Sequence, residues 1–163
     1  MQFGRGLAVL LVIGACTDCT AASAQQNWTT YVNERYGAAA DYPTDLFTQK
    51  DAPPDAGDGQ TFRTADGETK LSIYGANNIE NDTPESYLAK YVDLEGGVTL
   101  KRVTAHFYAV SGTRDGKIYY ERCNFPPRDG ALGCFYIEYP AEQKAMWDAV
   151  VTRIGRSLRA GSP

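Results

Sequence analysis

The stretch His106–Tyr139, HFYAVSGTRDGKIYYERCNFPPRDGALGCFYIEY, decides the fold of this chain. It contains three runs rich in Val, Ile, Tyr and Phe, residue types that suit a pleated sheet. Asp115-Gly116 and Asp129-Gly130 separate the runs and are typical of tight turns. The pattern therefore predicts three consecutive antiparallel strands.

The first of these runs, Phe107–Val110, is apolar at every position. A strand with one face in water alternates apolar and polar residues, whereas a strand covered on both faces does not. We therefore expect helices on both sides of the sheet. The fold class predicted is α+β, with a single antiparallel sheet built from hairpins and helices packed on it.

The first 24 residues have the features of a secretory signal peptide. Arg5 gives a basic start, residues 7–15 form a short apolar core, and Ala22-Ser23-Ala24 is a small-residue cleavage site. The apolar core is shorter than the about 20 residues that a membrane-spanning helix needs. We predict a signal peptide over 1–24 and a single α+β domain over 25–163, exported to the periplasm or secreted.

A second processing site competes with the first. Ile13-Gly14-Ala15-Cys16 is similar to a bacterial lipobox, in which Cys16 becomes the lipidated first residue. A diacylated cysteine would anchor the protein in the envelope membrane. Contact with a membrane is expected only in that case.

Cleavage after Ala24 leaves two cysteines, Cys123 and Cys134, which in an exported domain predict a disulfide. A redox pair or part of a metal site are the alternatives, but the spacing is not C-x-x-C and the chain has a single histidine. We therefore predict neither a metal nor a cofactor.

Direct opposition of Cys123 and Cys134 in an antiparallel pair would fix the register of the last two strands. Glu121 would then face Tyr136. The other side of the same ladder would be apolar apart from Arg122, and we expect it to face a helix. Its apolar members are Ile118, Tyr120, Phe135, Ile137 and Tyr139.

Two more hairpins are predicted earlier in the chain. The first spans Trp28–Phe47 and turns near Gly37, and the second spans Thr61–Ala76 around Asp66-Gly67. The acidic segment between them, which contains Asp51, Asp55 and Asp58, lacks the EF-hand spacing and is interpreted as a solvated loop rather than a calcium site.

Two helices are predicted. The first has Thr83 as N-cap and Pro84 at its first position, and Gly96-Gly97 should end it. The second should begin at Pro140. Its apolar stripe is formed by Met146, Ala149, Val150, Ile154 and Leu158, widened by Trp147 and Val151.

The opening hairpin also carries a family resemblance. Tyr31, Gly37, Tyr42-Pro43 and Phe47 resemble the start of PsbP-like domains, α/β/α sandwiches first known from an extrinsic subunit of the photosynthetic oxygen-evolving complex. The resemblance implies a non-enzymatic binding or assembly module without catalytic residues. A wider set of positions is similar to small secreted bacterial proteins of unassigned function: Asp58-Gly59, Phe62, Asp66-Gly67, Leu71 and Tyr74-Gly75.

The net charge of the chain indicates which classes of partner to expect. Sixteen basic and 20 acidic residues give a net charge of −4, and there is no basic stripe. Nucleic acid is therefore not expected as a partner. We expect a monomer that binds an envelope protein or a small ligand.

Catalytic motifs with a G-x-S-x-G, H-E-x-x-H or phosphate-loop pattern are absent from the sequence. The alternative to a binding module is a small envelope hydrolase that uses His106 or a pair of carboxylates, although no spacing selects the pair. Five tyrosines fall in the predicted sheet and are interpreted as amphipathic residues at the rim of the core rather than a binding surface: Tyr108, Tyr119, Tyr120, Tyr136 and Tyr139.

Overall fold

A computed structural model describes Met1 and residues 26–92, 94, 97–127 and 130–161. Residues 2–25, which include Cys16 and the predicted signal segment after Met1, lie outside the described residues. In chain order the strands are β1 Trp28–Val32, β2 Ala39–Pro43, β3 Gln49–Lys50, β4 Gly59–Arg63, β5 Lys70–Asn77, β6 Val98–Val103, β7 Phe107–Arg114, β8 Lys117–Asn124 and β9 Ala131–Pro140. Helix α1, Pro84–Tyr91, follows β5, and helix α2, Lys144–Ser157, follows β9 after a short 3₁₀ turn at Ala141–Gln143.

Seven strands form one antiparallel sheet in the order β3-β4-β5-β9-β8-β7-β6. The predicted opening hairpin exists, but β1 and β2 pair with each other as a separate two-stranded sheet. Its turn contains Gly37 with a φ of 71°, the left-handed conformation that glycine adopts without strain. The predicted α+β class and antiparallel sheet are confirmed.

The predicted register of the last two strands is also confirmed. Cys123 lies opposite Cys134, Glu121 opposite Tyr136, and the two cysteines form a disulfide with a Cα–Cα distance of 4.1 Å. Both cysteines are buried. The covalent bond therefore joins the two strands at the centre of the sheet.

The side of the sheet that was expected to face a helix packs against α2 and the opening hairpin. Phe135, Ile137 and Tyr139 join Trp147 and Ile154 in one buried cluster, called here the first core. Aromatic contacts hold it together, including Tyr139 with Trp147 at a ring separation of 5.9 Å. This core fixes α2 against β9.

The opposite side of the sheet carries the second core, which includes the disulfide and is covered by α1. Leu88 of α1 is fully buried against Tyr108, Val110 and Leu132. The two cores lie on opposite faces of one sheet, which is the α/β/α arrangement that the apolar run Phe107–Val110 predicted.

Two helix predictions need correction. Helix α1 ends at Tyr91, before the expected stop at Gly96-Gly97, because Val92 is extended and the following chain brings Leu94 against the second core.

Helix α2 begins at Lys144 rather than Pro140, because Pro140 still belongs to β9. The buried face of α2 also differs in part from the predicted stripe. Trp147, Val150 and Val151 face the core, whereas Met146 and Ala149 are exposed.

The last residues of the described chain pack against its first hairpin. Arg159 and Ala39 exchange backbone hydrogen bonds of 2.8 and 3.2 Å. The backbone of Arg159 also lies so close to Gly133 that any side chain at Gly133 would overlap it. This segment therefore connects the two-stranded sheet to β9 of the large sheet.

Candidate functional site

A cleft of about 1280 Å³ lies at one end of the large sheet. Three segments enclose it: the loop after β5 with the start of α1, the β6–β7 turn, and the loop between β8 and β9. We call it the α1 cleft. Its described lining residues are Asn77, Asn78, Ile79, Asn81, Asp82, Thr83, Pro84, Glu85, Val103, Thr104, Ala105, Phe125, Pro126 and Gly130.

The loop that forms one wall of the cleft is held by its own side chains. The Asn78 amide donates to the carbonyl of Asp82 at 2.9 Å, and the Asp82 N–H donates to the Asn78 side-chain oxygen at 2.9 Å. Asn81 has a φ of 54°, a conformation that asparagine tolerates better than most residues. The wall is thus a defined turn presenting polar atoms to the cleft.

Helix α1 begins directly after this turn, as the sequence predicted. The Ser86 N–H donates to the Thr83 hydroxyl, and the Thr83 N–H donates to the Ser86 hydroxyl, which completes a capping box. Pro84 occupies the first turn, where its missing N–H costs nothing. These contacts fix the N-terminus of α1 at the edge of the cleft.

Asp82 anchors the turn to the helix. Its Oδ1 accepts from the Ser86 hydroxyl at 2.8 Å and forms an ion pair with Lys90 at 2.5 Å. The hydrogen bond from Lys90, followed by that from Ser86, holds the pKa of the Asp82 carboxyl below its ordinary value. The side chain is only 5% exposed, and Oδ2 has no hydrogen-bond partner among the residues that the structure describes.

The apolar part of the cleft is continuous with the second core. Phe125 lines the cleft and packs edge-on against Tyr87 at 5.6 Å and against Tyr108 at 6.3 Å. Val103 belongs to both the lining and the edge of the same core. The cleft therefore combines an apolar floor with a rim of amides and carboxylates.

A half-buried carboxylate, that of Glu121, lies beside the second core. The hydroxyls of Tyr108 and Tyr74 donate to the same oxygen of Glu121, at 2.9 and 3.1 Å. Burial raises the pKa of Glu121, although the two hydrogen bonds act in the opposite direction. Burial also raises the pKa of Tyr108 and of Tyr74, so both hydroxyls keep the protons that they donate. The arrangement is a partly buried polar network beside the disulfide.

The five tyrosines of the sheet were interpreted as residues at the rim of the core, and the structure places three of them inside it. Tyr108, Tyr119 and Tyr139 are buried, and Tyr120 and Tyr136 are half-buried.

His106, the candidate base, is exposed in the β6–β7 turn beside the cleft residue Ala105. Its backbone N–H donates to the Thr104 hydroxyl at 3.2 Å. The imidazole makes no hydrogen bond to any other described residue. The structure therefore does not bring His106 into contact with a serine or a carboxylate.

Asp51, in the acidic segment between the two early hairpins, is paired within the protein. Asp51 forms a two-pronged ion pair with Arg63, at 2.8 and 2.9 Å, which lowers the pKa of the Asp51 carboxyl. Over residues 26–92, 94, 97–127 and 130–161, no group of three or more His, Cys, Asp or Glu side chains is placed to hold a metal ion.

Sequence reasoning did not identify the α1 cleft. The asparagines at 77, 78 and 81 form a polar segment of the sequence, but nothing in their spacing indicates that they meet the β6–β7 turn.

Comparisons with known proteins give the fold. No family model and no curated protein matches the chain. The solution structure of cyanobacterial PsbP (CyanoP) from Synechocystis sp. PCC 6803 is similar with a TM-score of 0.57 and 12% identity, covering 91% of this chain and 98% of that one. The crystal structure of the Saccharomyces cerevisiae Ran-binding protein Mog1p is similar with a TM-score of 0.53 and 7% identity, covering 83% of this chain and 96% of that one. The PsbP-like fold is confirmed.

Proposed function

We propose that this protein is an exported, non-catalytic binding or assembly module of the bacterial cell envelope, and that it binds a protein partner in the α1 cleft. The observation that carries the proposal is the composition of the cleft. Phe125 and Val103 supply an apolar floor, and a turn fixed by Asn78 and Asp82 supplies a polar rim. Such a surface suits a polypeptide, which offers apolar side chains and backbone hydrogen-bonding groups together.

The residues around the cleft support contact with a macromolecule. Ile79 is 84% exposed at the rim, which leaves a large apolar side chain in solvent. Asp82 Oδ2, buried and without a described partner, offers an acceptor for a backbone or side-chain N–H. Mog1p, which shares the fold, is a Ran-binding protein, so a protein ligand is a reasonable class for this chain.

The location in the envelope is supported by the disulfide. A buried cross-link between Cys123 and Cys134 fits an oxidising compartment. Among the described helices, none is long and apolar enough to cross a membrane. We propose processing after Ala24, with lipidation of Cys16 as the alternative route to the envelope.

Site-specific photocrosslinking in living cells tests the proposal. A photoreactive amino acid at Ile79 or Ala105, both at the cleft, should give the same discrete crosslinked protein. The same amino acid at Met146, exposed on α2 away from the cleft, should not. Equal products from all three positions, or none from the two cleft positions, would contradict the proposal.

A blocking variant supplies a second test. Ala105→Arg places a long charged side chain in the cleft, and Ala149→Arg makes the same change at an exposed position of α2. We expect Ala105→Arg to abolish the crosslink from Ile79 and Ala149→Arg to preserve it. Loss of the crosslink in both variants would indicate a general effect on folding instead of an effect on the cleft.

A further inference from the structure

Two arginines converge on one aromatic ring on the side of the sheet that carries the first core. In the register of β6, β7 and β8, Arg102 and Arg122 lie on either side of Ala109. The guanidinium carbon of Arg122 is 3.9 Å from the centre of the Phe107 ring, and that of Arg102 is 5.3 Å from it. Two like charges are thus held close together.

Neither arginine has an acidic partner among the described residues. Ion pairs do neutralise other cations of the chain, such as Arg63 with Asp51 and Lys144 with Asp148. Arg122 instead donates to the amide oxygen of Asn124 at 2.9 Å. In a chain with a net charge of −4, two neighbouring arginines without a carboxylate mark a site that is complementary to an anion.

The position of Arg122 is fixed from behind. The Asn124 side chain that accepts from it donates in turn to the carbonyl of Leu158 at the end of α2. Arg122 also lies beside the half-buried Tyr120, where burial raises the pKa of the hydroxyl and the charge and hydrogen bond of Arg122 act in the opposite direction. The cluster is therefore an ordered surface and not a pair of free side chains.

The cluster borders an open edge of the sheet. Strand β6 is the last strand in the order, so no described strand pairs with its outer side. The Thr104 N–H donates to the carbonyl of Phe107, and hydrogen-bonded pairs alternate along an antiparallel ladder. By this alternation the Lys101 N–H and C=O point outward, away from β7.

We propose that β6 is a docking edge for an acidic, extended segment of a partner protein, which adds to the large sheet as an eighth strand. Leu100 and Arg102 lie on the same face, two residues apart, and Leu100 is 44% exposed. The incoming strand would place an apolar residue opposite Leu100 and a carboxylate opposite Arg102, within reach of Arg122. A second acidic residue, between these two positions of the incoming strand, would lie opposite Lys101.

The docking edge adjoins the α1 cleft at Val103, but Leu100, Lys101 and Arg102 do not line the cleft, so variants at these positions test the two proposals separately. The competing explanation is that Lys101 and Arg102 only protect an exposed edge against unwanted pairing, which is a common use of charged residues on edge strands. The two explanations differ in what an acidic strand does. A docking edge binds it in a defined register, whereas a protective edge binds no strand.

Measurement of peptide binding distinguishes a docking edge from a protective edge. The probe is the synthetic peptide Thr-Thr-Glu-Glu-Ile-Thr-Val-Thr, fluorescently labelled, and its control has Gln in place of both Glu residues. We expect the purified protein to bind the acidic peptide at least about tenfold more tightly than the amide control at low salt, and added salt to reduce the difference. Arg102→Gln should weaken binding of the acidic peptide about fivefold.

A backbone variant tests strand addition itself. Lys101→Pro removes the outward N–H, and proline is tolerated on an edge strand where its N–H would face solvent. Lys101→Gln removes the same charge but keeps the N–H. We expect Lys101→Pro to abolish binding and Lys101→Gln to retain it within a few fold.

Hydrogen exchange on the wild-type protein gives a readout that does not depend on a variant folding. On peptide binding, exchange at the Lys101 backbone amide should slow, while exchange at the backbone amides around Thr152, on the exposed side of α2, should not change. Equal affinity for the acidic and amide peptides, equal binding by the two Lys101 variants, or no binding at about 1 mM peptide would overturn the proposal.

Discussion

Removing the disulfide gives the sharpest test of the fold as described. The double variant Cys123→Ala with Cys134→Ala loses a cross-link between residues separated by 11 positions. The chain-entropy relation for a closed loop of about a dozen residues gives about 3 kcal/mol at 25 °C. Both cysteines are buried in the second core, so deleting each sulfur should cost about 1 kcal/mol more.

The assay is equilibrium unfolding in urea. We expect the free energy of unfolding to fall by about 4–5 kcal/mol in the double variant. The slope of the free energy of unfolding against urea concentration should become steeper, because an unfolded chain without the cross-link exposes more surface. Wild-type protein unfolded with a strong reductant separates the two contributions, since it loses the cross-link but keeps both sulfur atoms.

A loss below about 1 kcal/mol in the double variant would refute this reasoning, because the loop entropy alone exceeds that value. So would a reduced wild-type protein as stable as the oxidised one. Either result would mean that the bond between β8 and β9 does not constrain the unfolded chain as the register implies.

Three other predictions can be tested, two by urea unfolding of variants and one by mass spectrometry. Burial raises the pKa of Glu121 above its ordinary value of 4.5, so the contribution of this carboxyl to stability is complete below pH 4.5 and is lost as the pH rises through the native-state pKa. In urea unfolding, Glu121→Gln should therefore be more stable relative to wild type at pH 7 than at pH 4. The opposite order would contradict the raised pKa. Trp147→Ala should lower the free energy of unfolding by about 3–5 kcal/mol, whereas Met146→Ala, its exposed neighbour, should change it by less than about 0.5 kcal/mol. Mass spectrometry of the native N-terminus should find Gln25; a diacylated Cys16 would show that the lipoprotein route is used.

The sequence predicted the centre of the sheet because a covalent constraint and a hydrophobic pattern agreed there. Placing Cys123 opposite Cys134 determined every pair along β8 and β9, and a shift by one residue would have exposed the apolar positions. The start of α1 was equally predictable, since a cap, a proline and an acidic residue all fall at its first turn.

The ends and faces of the helices were harder to predict because tertiary contacts decide them. The end of α1 is set by the need of Val92 and Leu94 to reach the second core, which no local signal shows. In α2, Met146 and Ala149 fit the helical period, but tertiary packing buries Trp147 and Val151 in the first core and leaves Met146 and Ala149 exposed.

The α1 cleft depends on a juxtaposition that a single sequence does not show. The α1 cleft brings together three segments that are distant along the chain. The arginine pair is different, because its signal was accessible. Once the pairing of β7 with β8 is known, Arg122 must lie beside Ala109, and Arg102 follows from the next hairpin.

The backbone pairing between Ala39 and Arg159 has a consequence for how the protein folds. Contacts between the two ends of a chain close the longest loop available to it, and such contacts form late because the entropic cost must be met first. The opening hairpin therefore cannot reach its final position until the last helix has been delivered. In refolding of the purified protein, we therefore expect this backbone pairing to form after the pairing of β8 with β9, which closes a much shorter loop.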